Sequence, residues 1–248
     1  MSQDETSRNM GFLGHLDELR VRVVRALYVF VAGFLGCYFL ITEWVMSFLR
    51  APIFKVLPEG QQKLYFTNLF ENFLTHLKVS AVAAIFLLSP YLFYELWAFI
   101  SPGLYEKERK LAIPFIFLAT LFFLMGGAFA YFVLFPAAFQ FFIFFGAPSD
   151  VPLLTIDAYY TTCMKLILLF GAAFEFPVLI GLLGYLGIVD AKFLRKNRRN
   201  GVLAITVFAA MFAPPDAISM MILMAPLYLM YEILIVVLER FISGRKGE

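Results

Sequence analysis

Charged residues cut this chain into long apolar runs. Ala26–Ile41 is apolar and ends near Glu43 and Trp44. Val79–Ile100 is apolar apart from Glu95 and ends beside Trp97. Leu111–Ser149 carries no charge over 39 residues, and Ala158–Leu186 is interrupted only by Lys165 and Glu175. Gly201–Ala213 is short, and Ile218–Leu238 carries Glu232. The runs are continuous, not alternating, so they predict membrane helices and not barrel strands. About 20 helical residues cross a ~30 Å hydrocarbon core. The uncharged run is too long for one span and too short for two with a turn, and Pro136 divides it. Leu111–Phe135 is predicted to cross, with Pro114 tolerated in its first turn, and Pro136–Ser149 to lie at the interface. The pattern predicts an all-α membrane protein of six spans.

Lysine and arginine set its orientation. Fifteen fall on one side: Arg8, Arg20, Arg22 and Arg25; Lys107, Arg109 and Lys110; Lys192, Arg195, Lys196, Arg198 and Arg199; Arg240, Arg245 and Lys246. Four fall in the first loop on the other side: Arg50, Lys55, Lys63 and Lys78. Both termini are therefore expected in the cytoplasm. The expected organisation is an N-terminal tail over residues 1–25, one transmembrane domain over 26–238 and a C-terminal tail over 239–248. No cleavable signal peptide is expected, because the first span follows a long charged tail. The last two helices are predicted to be short. Gly201–Ala213 and Ile218–Tyr231 would each extend about 20 Å, below the ~30 Å core. Pro214 and Pro215 stop the first of them, and Asp216 can cap the second. A re-entrant hairpin there has the same loop parity.

Composition narrows the function. Apolar residues make up 62% and charged residues 15%, with a net charge of +2. Soluble domains average about 45–50% apolar and about 25% charged. Soluble enzymes, disordered chains and nucleic-acid-binding domains are excluded. Cys37 and Cys163 lie in or beside apolar runs and give no disulfide framework. His15 and His76 lie on opposite sides of the membrane, so no metal site or cofactor is expected.

Glu175 is the sharpest physical signal, because a carboxylate in mid-span is costly and marks function by default. Pro177, two residues on, kinks the helix, and the pair suggests a concave, watered face. The plainer alternative is that Glu175 satisfies backbone freed by the proline. Glu95 and Glu232, near the ends of their spans, are expected to snorkel toward water. Gly126–Gly127 would allow another helix to approach closely.

Six segments together carry a resemblance. They are His15-Leu16-Asp17-Glu18-Leu19-Arg20; Arg50-Ala51-Pro52; Leu96 through Tyr105 with Glu108-Arg109; Ala128 through Phe132 with Phe135-Pro136; Phe174-Glu175-Phe176-Pro177; and Pro214-Pro215-Asp216. In this order they resemble the TatC family, the multispanning core subunit of the twin-arginine (Sec-independent) protein translocase. The resemblance runs from about His15 to Phe241. It implies a receptor and channel component, not an enzyme, in the inner membrane. Its ligands would be twin-arginine signal peptides of folded cargo. Its partners would be single-span TatA/TatB-type subunits, within a complex holding several copies of the chain, and the proton-motive force would drive transport. The resemblance implies signal-peptide contacts at Glu18, Arg20, Phe99 and Glu108. It marks Pro52, Glu175 and Asp216 as structural or functional positions. Family members often carry polar residues where this chain has Ala213 and Met220, so a docking contact there would differ, with Ser219 as the nearby hydroxyl.

Paired arginines suit paired carboxylates, since each guanidinium presents a planar fork. Glu18 and Glu108 come from separate segments on one side of the membrane. The plain alternative is a solvated surface, with Glu18 and Arg22 an i,i+4 pair. Phe99 is otherwise an interfacial anchor beside Trp97. A competing function is a proton- or ion-coupled small-solute transporter with Glu175 as relay, which usually brings internal repeats that this chain lacks. An intramembrane hydrolase would need a nucleophile and base that no span supplies.

Overall fold

The computed structural model describes residues 3–58, 60–101, 109–144, 153–212 and 217–242. Its helices are α1 (Gln3–Leu40), α2 (Thr42–Phe54), α3 (Glu71–Ile100), α4 (Ala112–Phe129), α5 (Phe135–Phe144), α6 (Ile156–Tyr185), α7 (Ala191–Lys196), α8 (Arg198–Phe212) and α9 (Ala217–Val237). Single π turns follow α4 at Ala130–Leu134 and α9 at Leu238–Ile242. Among the described residues, five helical stretches are long and apolar enough to cross a membrane: Asp17–Leu40, Glu71–Ile100, Ala112–Phe144, Ile156–Tyr185 and Met220–Arg240.

Two expectations need correction. Pro136 does not break its run, because Ala112–Phe144 is one stretch of 33 residues. Proline lacks the N–H that would bond the carbonyl four residues back. Here the ladder shifts to the wider π spacing just before it, with the Phe135 N–H donating to the Ala130 carbonyl. The last helix is also not short, since α9 has 21 residues. Glu232 does not end it, because Arg198 on α8 pairs with Glu232 at 2.6 Å and Tyr228 donates to it at 3.1 Å. A neutralised carboxylate on the helix flank lets the helix run on. By contrast α8 has 15 residues, about 22 Å of helix.

The core forms where α4 and α6 lie against each other and α3 and α9 close over them. Gly126 explains the close approach: a Cβ there would collide with the Phe170 carbonyl of α6. α1 packs mainly on α3, and α2 follows it after a one-residue break at Ile41.

Polar groups at the α2 end are tied to backbone. Pro52 cannot bond the Phe48 carbonyl four residues back, and its ring crowds that turn. The Tyr131 hydroxyl donates to Phe48 O at 2.8 Å, Tyr159 to Leu49 O at 2.6 Å, and Tyr160 to Met46 O at 2.9 Å. Pro52 is buried, and the Phe48 carbonyl that it leaves without a helical donor is held by Tyr131. Glu71 closes the same end. Its carboxylate accepts from the N–H groups of Thr67 (2.6 Å), Asn68 (3.2 Å) and Asp157 (2.9 Å), joining the starts of α3 and α6. Tyr65 adds a short bridge to the Leu154–Ile156 segment through two backbone bonds.

Candidate functional site

At the opposite end, two helix faces meet. On α1, Glu18, Arg22 and Arg25 recur at four- and three-residue spacing, so they share one face. On α3, Tyr91, Glu95 and Phe99 recur every four residues and share another. The helices run antiparallel, with Gly33 against Leu88 and Arg22 against Glu95. This register sets Phe99 at the level of the Glu18–Arg22 turn.

One guanidinium spans two acids. Arg22 donates from Nε (3.1 Å) and Nη2 (2.6 Å) to Glu18 Oε1, and from Nη1 (3.4 Å) to Glu95 Oε2. Arg25 Nη1 lies 3.8 Å from Glu95 Oε1, and Tyr91 donates its hydroxyl to the same oxygen at 2.7 Å. Glu95 is only 5% exposed, so it does not snorkel as expected from its place near the end of the span. Its charge is met inside the protein, by cations 73 and 70 residues away in sequence. Sequence reasoning missed it as a site residue. The available signal was the spacing of Arg22 and Arg25, two cations on one helix face that must find an acid.

The other expected site residues fall as follows. Glu18 is 35% exposed and reachable. Arg20 is exposed and makes no ion pair among the described residues. Phe99 is half-buried, one turn beyond Glu95. Glu108 lies outside the described residues, immediately before Arg109, whose Nε donates to the Ser101 carbonyl at the end of α3 at 3.1 Å. Asp216 and Ala213 also lie outside the described residues. Met220 packs against the core. The structure thus brings Glu18, Arg22, Arg25 and Glu95 to one place, with Phe99 one turn beyond Glu95 along α3.

Glu175 lies apart from that cluster, on α6. Its Oε1 is buried without a hydrogen-bond partner, and so is Thr120 Oγ1 on α4. The α4–α6 register, with Gly126 on Phe170 and Ala119 beside Val178, sets these two atoms at a similar depth. Pro177 borders an apolar groove of about 620 Å³ between α4, α6 and α9. An apolar groove offers polar solutes nothing to hold. No group of three or more potential metal ligands occurs among the described residues.

These features define a polytopic helical membrane protein with a charged, partly open site at one end of its bundle. The profile described as Sec-independent protein translocase protein (TatC) matches residues 14–226. The TatC of Desulforapulum autotrophicum is 38% identical over 236 residues, covering 95% of this chain and 86% of that one. The Escherichia coli K12 TatC is 36% identical over 232 residues, covering 93% and 88%. A crystal structure of the twin arginine translocase receptor TatC in DDM matches with a TM-score of 0.78 at 30% identity, covering 90% of this chain and 98% of that one. The chain belongs to the TatC family of Sec-independent protein translocase proteins. It is a core component of that translocase and not an enzyme.

Proposed function

We propose that this chain is the signal-peptide receptor of its translocase, with the Glu18 end in the cytoplasm. Six spans follow if the 15-residue α8 crosses along with the five longer stretches. Both termini then share a side, the side to which fifteen of the lysines and arginines segregate. The membrane is the inner membrane, and the arrangement is a cytoplasmic tail, a single transmembrane domain and a short C-terminal tail. Single-span TatA/TatB-type subunits join several copies of the chain, and folded cargo crosses at the expense of the proton-motive force.

In this reading Glu18 and Glu108 hold the two arginines of the signal peptide, while Phe99 limits water access and Arg20 positions the tail. The observation that carries it is Glu18: a partly exposed carboxylate, in a face rich in cations, that already accepts a guanidinium through two N–H groups. A cationic ligand approaching that face needs such fixed acids to offset repulsion. Loss of one acid is expected to weaken binding by roughly 1–3 kcal/mol, about 5- to 150-fold. The test is the affinity of a twin-arginine signal peptide for Glu18→Ala, Glu108→Ala and the double variant. Parent-like binding by both single variants would defeat the reading.

A further inference from the structure

The Glu18 carboxylate is not vacant at rest: the chain's own Arg22 occupies it. Arg22 makes its two shorter contacts to Glu18 Oε1, at 2.6 and 3.1 Å, and a longer one, 3.4 Å, to Glu95 Oε2. We propose that Arg22 is a built-in stand-in for the ligand's arginine, and that Glu95 is the acceptor to which it transfers when the signal peptide takes Glu18. Loading the site is then an exchange of one guanidinium for another. The proposal rests on the receptor reading above, because it assumes that Glu18 is a ligand contact.

Three features carry it. First, geometry: one guanidinium already touches both carboxylates, so transfer needs a small side-chain rotation and no movement of helices. Second, burial: Glu95 is 5% exposed and Glu18 is 35% exposed, so the ligand can reach only Glu18. Third, charge compensation. A buried carboxylate is costly unless well paired. At rest Glu95 has one good hydrogen bond, from Tyr91 at 2.7 Å, with both cations at 3.4 Å or more. It is under-compensated and gains from a closer Arg22. That gain offsets the loss of the Arg22–Glu18 contact, and the ligand does not have to strip a cation into water. Glu95 is thereby a positioning residue that sets how readily Glu18 is released.

The consequence is selective. A ligand must outcompete an aligned guanidinium fork, which a lysine, a compact charge without a fork, does poorly. The resting contact therefore raises the threshold against weakly cationic peptides.

The experiment measures binding of a synthetic twin-arginine signal peptide to the full chain in lipid nanodiscs. The variants are Arg22→Gln, Arg22→Lys, Glu95→Gln, Glu18→Gln and Arg22→Gln combined with Glu95→Gln. Arg22→Gln is expected to tighten binding about threefold or more, and Glu95→Gln to weaken it by a similar factor. Simple through-space attraction predicts the same signs, so the deciding reading is their coupling. With Arg22 removed, Glu95→Gln must have no further effect, because there is no guanidinium left to receive. An equal Glu95→Gln effect in both backgrounds overturns the exchange, as does unchanged or weaker binding by folded Arg22→Gln. If Arg22→Gln is not recovered folded, Arg22→Lys takes its place. Its ammonium lacks the fork that spans both acids, so the Glu95→Gln effect must shrink to under half, and an undiminished effect overturns the proposal. Glu18→Gln separates the two layers. Parent-like binding there defeats the receptor reading and the exchange with it, whereas lost binding without Arg22–Glu95 coupling defeats the exchange alone.

Discussion

The two ends of the bundle hold polar groups in different ways. At the α2 end, tyrosine hydroxyls meet backbone carbonyls and the buried carboxylate of Glu71 is filled mainly by backbone N–H groups, with the half-exposed Lys78–Asp157 pair at the rim. Most of the buried partners there are backbone groups. At the Glu18 end, two carboxylates share two arginines through long side chains, at distances from 2.6 to 3.8 Å. Neutral contacts to backbone can only be made or lost. Shared ionic contacts can be redistributed. The first arrangement suits an anchor, and the second suits a site that must accept a charged ligand from solution.

The largest expected effect breaks the anchor. Tyr159 and Tyr160 are 6% and 1% exposed, and their hydroxyls hold Leu49 O and Met46 O. The double Tyr159→Phe, Tyr160→Phe change removes two buried hydroxyl contacts to α2 carbonyls and the acceptor of Arg50 Nε. A loss of about 2–5 kcal/mol is expected. It should appear as a lower thermal midpoint in detergent, equally at low and high salt, because the lost contacts to carbonyls are neutral. Strong salt dependence would show that the α2 end is held by charge after all.

A smaller effect isolates Pro52. In the parent, Tyr131→Phe leaves Phe48 O without a donor and should lower stability by about 1–2 kcal/mol. Pro52→Ala restores an N–H that can bond Phe48 O within α2. In that background Tyr131→Phe should cost clearly less. The two changes should therefore be coupled in a double-mutant cycle of thermal stability. Additive effects would mean that the tyrosine does not compensate for the proline.

The same division explains what was legible in the sequence. Apolar runs located the long helices, because burial in a membrane is written locally. Glu175 was legible as a mid-span acid for the same reason, and the structure leaves its Oε1 unpartnered. Contacts between distant segments were not legible. Glu95 read as a snorkelling residue because its cations lie on α1, and Glu232 read as a helix end because Arg198 lies on α8. Pro136 read as a break because the π turn that accommodates it depends on packing around Tyr131 and Leu134, both buried. Pro52 announced that a carbonyl would need a donor. Nothing local said that Tyr131, 83 residues on from the carbonyl it holds, would supply it.

The smallest effect on stability belongs to the Glu18 end, and it sharpens the contrast most. Glu18→Gln removes one acceptor from Arg22 but leaves Glu95 to receive it. The lost pair is partly exposed and lies within one helix, so it contributes about 0–1 kcal/mol. The thermal midpoint should therefore fall by little at low salt. That difference should vanish at high salt, where the Debye length shrinks to about 3 Å at 1 M. The same substitution should nevertheless weaken binding of a twin-arginine peptide by about 5- to 150-fold, while the Tyr159→Phe, Tyr160→Phe protein, kept below its lowered midpoint, binds normally. Stability and binding would then separate along the length of the bundle. A Glu18→Gln protein that unfolds as readily as the double tyrosine variant would show that the ionic end is also structural, and that Arg22 is a strut and not an exchangeable contact.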